Sequence, residues 1–208
     1  MTDTTTPPVI TLATKITICR ILGIPVFIVL LVYYIQGLAD GVAREELRLM
    51  ALSMFLFIAM TDALDGFVAR ARNEITQLGR VLDPLADKAL LLSGLILLTR
   101  PSVPELQPHI PLWFTGLVIS RDVLQFGGFL LVQHFVGRVV MVPRIAGKIA
   151  TVLVMLTVVV VLAQAPGPYF DWLVIVSALF IGLSGMQYLV DGLRQLEAGK
   201  KETTDGHG

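Results

Sequence analysis

The chain has 208 residues, 55% of them apolar and only 15% charged, and its 16 basic and 16 acidic side chains cancel to a formal charge of zero. With a strongly positive mean hydropathy, this excludes a soluble domain and predicts an all-α integral membrane protein; there is no basic surplus for gripping nucleic acid, and no nucleic-acid partner is expected. The single Cys19 excludes an internal disulfide and most thiolate metal sites, and reads as a small apolar packing residue.

The first eight residues are rich in Thr and Pro with no basic run before the apolar stretch, so no cleaved signal peptide is expected. Residues 1–15 read as an N-terminal tail whose last part, from Val9 to Lys15, suits a short amphipathic segment at the membrane interface. A span needs about 20 predominantly apolar residues, and six segments qualify, near 16–36, 47–69, 82–99, 110–134, 145–164 and 170–192. Pro25 falls inside the first, where neighbouring helices accommodate a slight kink. Short polar joints near 37–46, 70–80, 101–111, 134–144 and 165–168 leave no room for a soluble domain. Trp113 and Trp172 sit where interface anchors belong. The polar stretch 197–208 reads as a disordered tail, giving a layout of tail 1–15, a six-span domain 16–192 and a C-terminal tail 193–208.

Six transmembrane helices put both termini on one side, and the distribution of basic residues chooses the cytoplasm. That side receives Lys15, Arg20, Arg70, Arg72, Arg80, Lys88, Arg138, Arg144, Lys148, Arg194, Lys200 and Lys201, while Arg44, Arg48 and Arg100 fall opposite.

The densest charge lies between the second and third spans: Asp62-Ala-Leu-Asp65-Gly66-Phe-Val-Ala69-Arg70, then Gly79, Asp83 and Asp87. On helices, Asp62 and Asp65 at i and i+3 share a face, as do Asp83 and Asp87 at i and i+4. Four converging anions in a low-dielectric setting either take up protons or bind cations, and hard oxygen ligands favour Mg2+ or Mn2+ over zinc. A glycine beside an acid lets a phosphate approach the backbone, and Arg70 one turn on offers a bidentate clamp. Taken singly, these residues have plainer readings. Asp83 ahead of Pro84 suits a helix N-cap, and Gly66 and Gly79 suit a loop or a close helix contact.

The whole pattern, D-x2-D-G-x2-A-R-x8-G-x3-D-x3-D, resembles the signature of the CDP-alcohol phosphatidyltransferases. The resemblance implies a membrane enzyme with two Mg2+ or Mn2+ ions held by Asp62, Asp65 and Asp83, with Asp87 as catalytic base and further metal ligand. It implies that Gly66, Ala69, Arg70 and Gly79 wall the CMP and pyrophosphate of the donor, CDP-diacylglycerol. Thr17 and Arg20 match a Thr-x-x-Arg element of the family's first span, assigned to donor binding, while Thr14 stands where Asn is frequent. Also implied are a homodimer and an active site facing the cytoplasm of a bacterial inner membrane.

A second polar set concerns the acceptor. Arg121-Asp122 interrupts the fourth span, and Arg138, Arg144 and Lys148 surround the joint before the fifth. Gly147-Lys148-Ile149-Ala150-Thr151 and the Leu82-Asp83-Pro84-Leu85-Ala86-Asp87-Lys88 continuation resemble the phosphatidylglycerophosphate synthase branch, with glycerol 3-phosphate as acceptor and CMP released. Arg121, Arg138, Arg144 and Lys148 are then the candidate acceptor-binding residues. Ile119-Ser120-Arg121-Asp122-Val123 also resembles cardiolipin synthases of this fold, which use phosphatidylglycerol, and an inositol phosphate acceptor shares the donor motif. An Arg-Asp pair also serves as a plain interhelical ion pair, and the other basic residues as topogenic charge. A cation transporter is the rival from a different class; it would place its acids near the bilayer midplane, often in duplicated halves, whereas these cluster at one end beside Gly and Arg. His109, His134 and His207 share no metal-ligand spacing.

Overall fold

The computed structural model describes residues 12–42, 44–72, 77–99, 107–136, 145–165 and 167–205, with side chains described for 20–42, 44–61, 86, 88–99, 107–128, 145–165 and 167–193. These residues form six helices: α1 (Leu12–Ala39), α2 (Glu45–Arg72), α3 (Gln77–Leu98), α4 (Leu112–Val136), α5 (Ile145–Leu162) and α6 (Tyr169–Asp205). All six coincide with the segments marked by apolarity. The chain divides into two compact units, the first comprising Met1–Gln107 with Leu162–Gln164, the second Pro108–Val161 with Ala165–Gly208.

In the first unit α1 packs along both α2 and α3. Phe27, Leu31, Tyr34, Ile35 and Leu38 recur at helical spacing and are buried with Phe55 and Ile58 of α2 and Leu91, Leu95 and Leu98 of α3. The Phe27 and Phe55 rings meet at 5.5 Å between centroids, tilted by 48°, within the range of favourable aromatic pairs. The opposite face of α1, with Leu22, Val26, Val29 and Tyr33, is exposed. A helix that is apolar all round belongs in a bilayer, where the outer face meets lipid.

The turn after α1 follows from one residue. Gly41 has φ +72°, and around it the Gly41 N–H donates to the Leu38 carbonyl at 3.0 Å and the Val42 N–H to the Gly37 carbonyl at 2.8 Å. This is the Schellman arrangement, which satisfies carbonyls that the helix end leaves without partners. Arg48 at the start of α2 pairs with Glu45 at 2.6 Å and donates to the Leu162 carbonyl at 2.6 Å. Gln164 donates to the Tyr34 hydroxyl at 2.9 Å. The segment 162–164 is thereby stitched to α1 and α2.

In the second unit α4 packs along α6. Phe170, Val174, Ser177, Ile181 and Ser184 form a buried stripe on α6, and Ile110, Phe114 and Val118 are buried at and near the start of α4. Val154, Val158 and Val161 are buried on α5. Leu179, Leu183 and Met186 face outward, as do Trp113 and Trp172 near the starts of α4 and α6, the places expected for interface anchors.

Among the described residues, three stretches are long and apolar enough to cross a membrane: Arg20–Ala39, Ile145–Leu162 and Tyr169–Leu193. The expected boundaries shift in three places. Leu12 to Lys15 belong to α1 rather than to a separate interfacial segment, and residues 1–11 lie outside the described ones. The 70–80 joint is shorter than expected, because α2 continues to Arg72 and α3 begins at Gln77. α6 runs to Asp205, so most of the expected disordered tail is helical. In each case hydropathy marks where the apolar run ends, whereas a helix continues through polar residues until a breaker stops it.

A Cβ on Gly23 would lie 2.9 Å from the Met54 terminal methyl and 3.1 Å from Ile58 Cδ1. Gly23→Ala needs that flexible methyl to move and Ile58 to give by a few tenths of an ångström, and should change stability little. Gly23→Leu overfills the α1–α2 contact and should cost about 1–3 kcal/mol, read as a lowered unfolding midpoint in detergent.

Candidate active site

The motif residues lie on two helices of the first unit. Asp62, Asp65, Gly66, Ala69 and Arg70 fall inside the last three turns of α2, and Gly79, Asp83 and Asp87 inside the first three of α3. Their helical backbone is described and their side chains lie outside the described residues. Helix geometry sets Asp62 and Asp65 one turn apart on one face of α2, and Asp83 and Asp87 one turn apart on one face of α3. The two helices touch each other, and both pack with α1.

Two plainer readings fall away. Asp83 is not an N-cap, because α3 begins six residues earlier at Gln77. Nor are Gly66 and Gly79 loop residues, since both lie within helices. A glycine inside a helix costs about 1 kcal/mol against alanine, so two of them beside carboxylates call for a reason such as close approach of a ligand to the backbone. Pro84 adds a related feature. Without an N–H it leaves the Arg80 carbonyl without its ordinary helical donor. Four carboxylates with no sulfur or imidazole among them form a hard-oxygen donor set, which fits Mg2+ or Mn2+. On α1, Arg20 is buried at 3% exposure; Thr17 precedes it by one turn, with its side chain outside the described residues.

The second unit contains a polar cluster centred on Arg121 of α4. Its Nη1 donates to Asp122 Oδ1 at 2.9 Å, while Nη2 reaches the Gly147 carbonyl of α5 at 3.4 Å and Ser184 Oγ of α6 at 3.3 Å. The guanidinium carbon lies 5.9 Å from the centre of the Tyr188 ring. Both members of the Arg-Asp pair are largely buried, at 11% and 15% side-chain exposure. The Arg121 Nε is buried and has no hydrogen-bond partner among the described residues. Thr151 Oγ also donates to the Gly147 carbonyl, at 3.0 Å.

Of the four acceptor candidates, Arg121 and the Gly147-Lys148 step are brought together in this unit, and Lys148 is exposed. Arg138 and Arg144 lie outside the described residues. Sequence reading missed Ser184 and Tyr188. The available signal was a serine and a tyrosine at i and i+4 within the apolar part of α6, on the buried side for Ser184.

Comparison with known proteins bears on both sets of residues. The family described as CDP-alcohol phosphatidyltransferase matches residues 10–184, a range that includes the full carboxylate motif, Arg121 and the Gly147–Thr151 segment. A protein of Aquifex aeolicus named CDP-diacylglycerol–glycerol-3-phosphate 3-phosphatidyltransferase is 35% identical over 159 residues, covering 73% of this chain and 85% of its own. A Bacillus subtilis protein of the same name is 31% identical over 186 residues, covering 85% and 92%. A Mycobacterium tuberculosis protein named probable phosphatidylglycerophosphate synthase is 28% identical over 188 residues, covering 89% and 83%. The rival reading as a cation transporter is thereby set aside: this chain belongs to the CDP-alcohol phosphatidyltransferase family, as an integral membrane phosphatidyltransferase.

Proposed function

We propose that this chain makes phosphatidylglycerophosphate, transferring the phosphatidyl group of CDP-diacylglycerol to a hydroxyl of glycerol 3-phosphate and releasing CMP. The observation that carries the reading is the carboxylate arrangement: two pairs, each one turn apart inside a helix, none at a capping position. The names and coverage of the relatives support the acceptor.

On this reading Asp62, Asp65 and Asp83 hold two Mg2+ or Mn2+ ions, with Asp87 beside them. Such ions, when bound, neutralise the pyrophosphate oxygens and stabilise the charge on the departing CMP. Gly66 and Gly79 let the donor approach the helix backbone, Ala69 keeps that wall low, and Arg70 clamps a phosphate oxygen pair. Thr17 and Arg20 serve the donor from α1. Asp87 takes the proton from the acceptor hydroxyl as its oxygen attacks the phosphorus bearing diacylglycerol, and the bond from that phosphorus to the CMP oxygen breaks. Arg121, Arg138, Arg144 and Lys148 hold the phosphate that glycerol 3-phosphate brings with it. The buried Arg121 Nε, without a hydrogen-bond partner among the described residues, supports this, because a guanidinium edge left without an acceptor suits an incoming oxyanion.

The rest of the arrangement follows from the same reading. Residues 16–192 form one catalytic domain of six spans between the tails 1–15 and 193–208. Both termini and the active site face the cytoplasm of a bacterial inner membrane, and the working assembly is a homodimer. The concentration of Lys and Arg at that side supports the orientation. The site must also meet a water-soluble acceptor and a lipid donor at once, as the polar end of a span does.

Asp62→Asn, Asp65→Asn and Asp83→Asn should each abolish CMP release, with excess Mn2+ restoring little; near-normal turnover would remove that residue from the metal set. Asp87→Asn should keep donor affinity by calorimetric titration yet lose about 10²- to 10⁴-fold in kcat, and loss of donor binding would make it chiefly a metal ligand.

The acceptor is decided by giving purified protein CDP-diacylglycerol with glycerol 3-phosphate or phosphatidylglycerol. Phosphatidylglycerophosphate from the first is expected; cardiolipin from the second, with glycerol 3-phosphate inert, contradicts the proposal. Lys148→Ala and Arg144→Ala should raise the KM for glycerol 3-phosphate far more than that for the donor.

A further inference from the structure

From the geometry around Arg121 we infer that Ser184 and Tyr188 of α6 are positioning residues for the acceptor, acting through the Arg121 guanidinium and through it on the first turn of α5. The inference rests on the reading of Arg121 as an acceptor-phosphate residue. Three groups converge on one glycine. A Cβ on Gly147 would lie 3.1 Å from Arg121 Nη2, 3.1 Å from the Tyr188 hydroxyl and 3.2 Å from Ser184 Oγ. Any side chain there would push each of the three back by a few tenths of an ångström, so the glycine of the Gly-Lys-x-x-Thr element keeps the α5 backbone at its closest to all of them.

What the approach achieves is orientation. An arginine has several rotatable bonds, and a guanidinium that binds an oxyanion well has been fixed in advance. Here Nη1 is held by Asp122 at 2.9 Å, Nη2 more loosely by the Gly147 carbonyl and Ser184 Oγ at 3.4 and 3.3 Å, and the guanidinium carbon lies 5.9 Å from the Tyr188 ring centre. The stem runs past Gly185, whose Cβ position is 4.0 Å from Arg121 Cγ. These contacts use the outer nitrogens and leave Nε, buried and unpartnered among the described residues, as the free donor. The same contacts hold the Gly147 carbonyl, so they also set the direction in which the next residue, the exposed Lys148, leaves the helix. Neither Ser184 nor Tyr188 needs to touch substrate for this.

The test separates positioning from mere stability. Initial rates are measured in mixed micelles for the wild type, Ser184→Ala, Tyr188→Leu and Tyr188→Phe, varying donor and acceptor independently. Tyr188→Leu should raise the acceptor KM about five- to thirtyfold, the span expected for a lost cation–π contact, with the donor KM within about twofold. Tyr188→Phe, which keeps the ring, should return the acceptor KM to near the wild-type value. Ser184→Ala should raise the acceptor KM less. Its effect should vanish in an Arg121→Lys background, because a residue that acts through Arg121 has nothing left to position. The inference is overturned if Ser184→Ala and Arg121→Lys are additive, if Tyr188→Phe behaves like Tyr188→Leu, or if donor and acceptor KM rise together. Should Tyr188→Leu not fold, the Ser184→Ala and Arg121→Lys cycle decides alone. If the wild type proves to use phosphatidylglycerol rather than glycerol 3-phosphate, the functional reading fails, and the same cycle is read on the KM for phosphatidylglycerol.

Discussion

Four aspartates carried by two touching helices of a largely apolar chain are the constraint on which the first unit turns. In a chain that is 55% apolar, a single ionised acid away from bulk water is costly, and four on two touching helices cost more than the sum of the parts. Nothing in a scaffold requires that arrangement. α2 and α3 each carry one pair inside the helix, at spacings that keep each pair on one face, and both helices pack with α1. The aromatic and aliphatic stripe along α1, which includes Phe27 against Phe55, supplies the burial that lets the acid-bearing ends remain polar. Along α2 and α3 apolar contact is thus combined with aspartates gathered in the last turns of the first helix and the first turns of the second.

The second unit solves a different problem. Among the described residues its polar cluster centres on Arg121, which meets its neighbour Asp122 together with a carbonyl, a serine hydroxyl and an aromatic ring. A buried ion pair is rarely worth much as stabilisation, since desolvation offsets the attraction. Its value lies in holding a guanidinium at one orientation, and the close approach at Gly147 shows how far the backbone is shaped to permit it. On the proposed function, donor-side chemistry falls to the carboxylates of the first unit and acceptor recognition to the guanidinium of the second.

Much of this was legible in the sequence, for identifiable reasons. Apolar runs mark helices directly, and all six helices stand where those runs lie, three stretches among the described residues being long and apolar enough to cross a membrane. The carboxylate motif was legible because its spacings are local and survive any tertiary arrangement. What escaped depends on polar helix ends or on distant contacts. α6 extends to Asp205 because Arg194 to Glu202 contains good helix formers and only one glycine, which hydropathy alone scores as tail. Asp83 before Pro84 looked like a helix start because proline is common there, yet α3 had begun at Gln77. Ser184 and Tyr188 meet Arg121 across 63 and 67 positions of chain, and no local pattern announces such a meeting.

The central claim is that the Asp62, Asp65, Asp83 and Asp87 carboxylates form one divalent-cation site. Titrating purified protein into Mn2+ and following the free-ion signal by electron paramagnetic resonance tests it without reference to turnover. The account predicts saturable loss of the signal at about two ions per chain, and the loss of that binding when all four aspartates are changed to asparagine. Equal Mn2+ uptake by the wild type and the fourfold variant would contradict it.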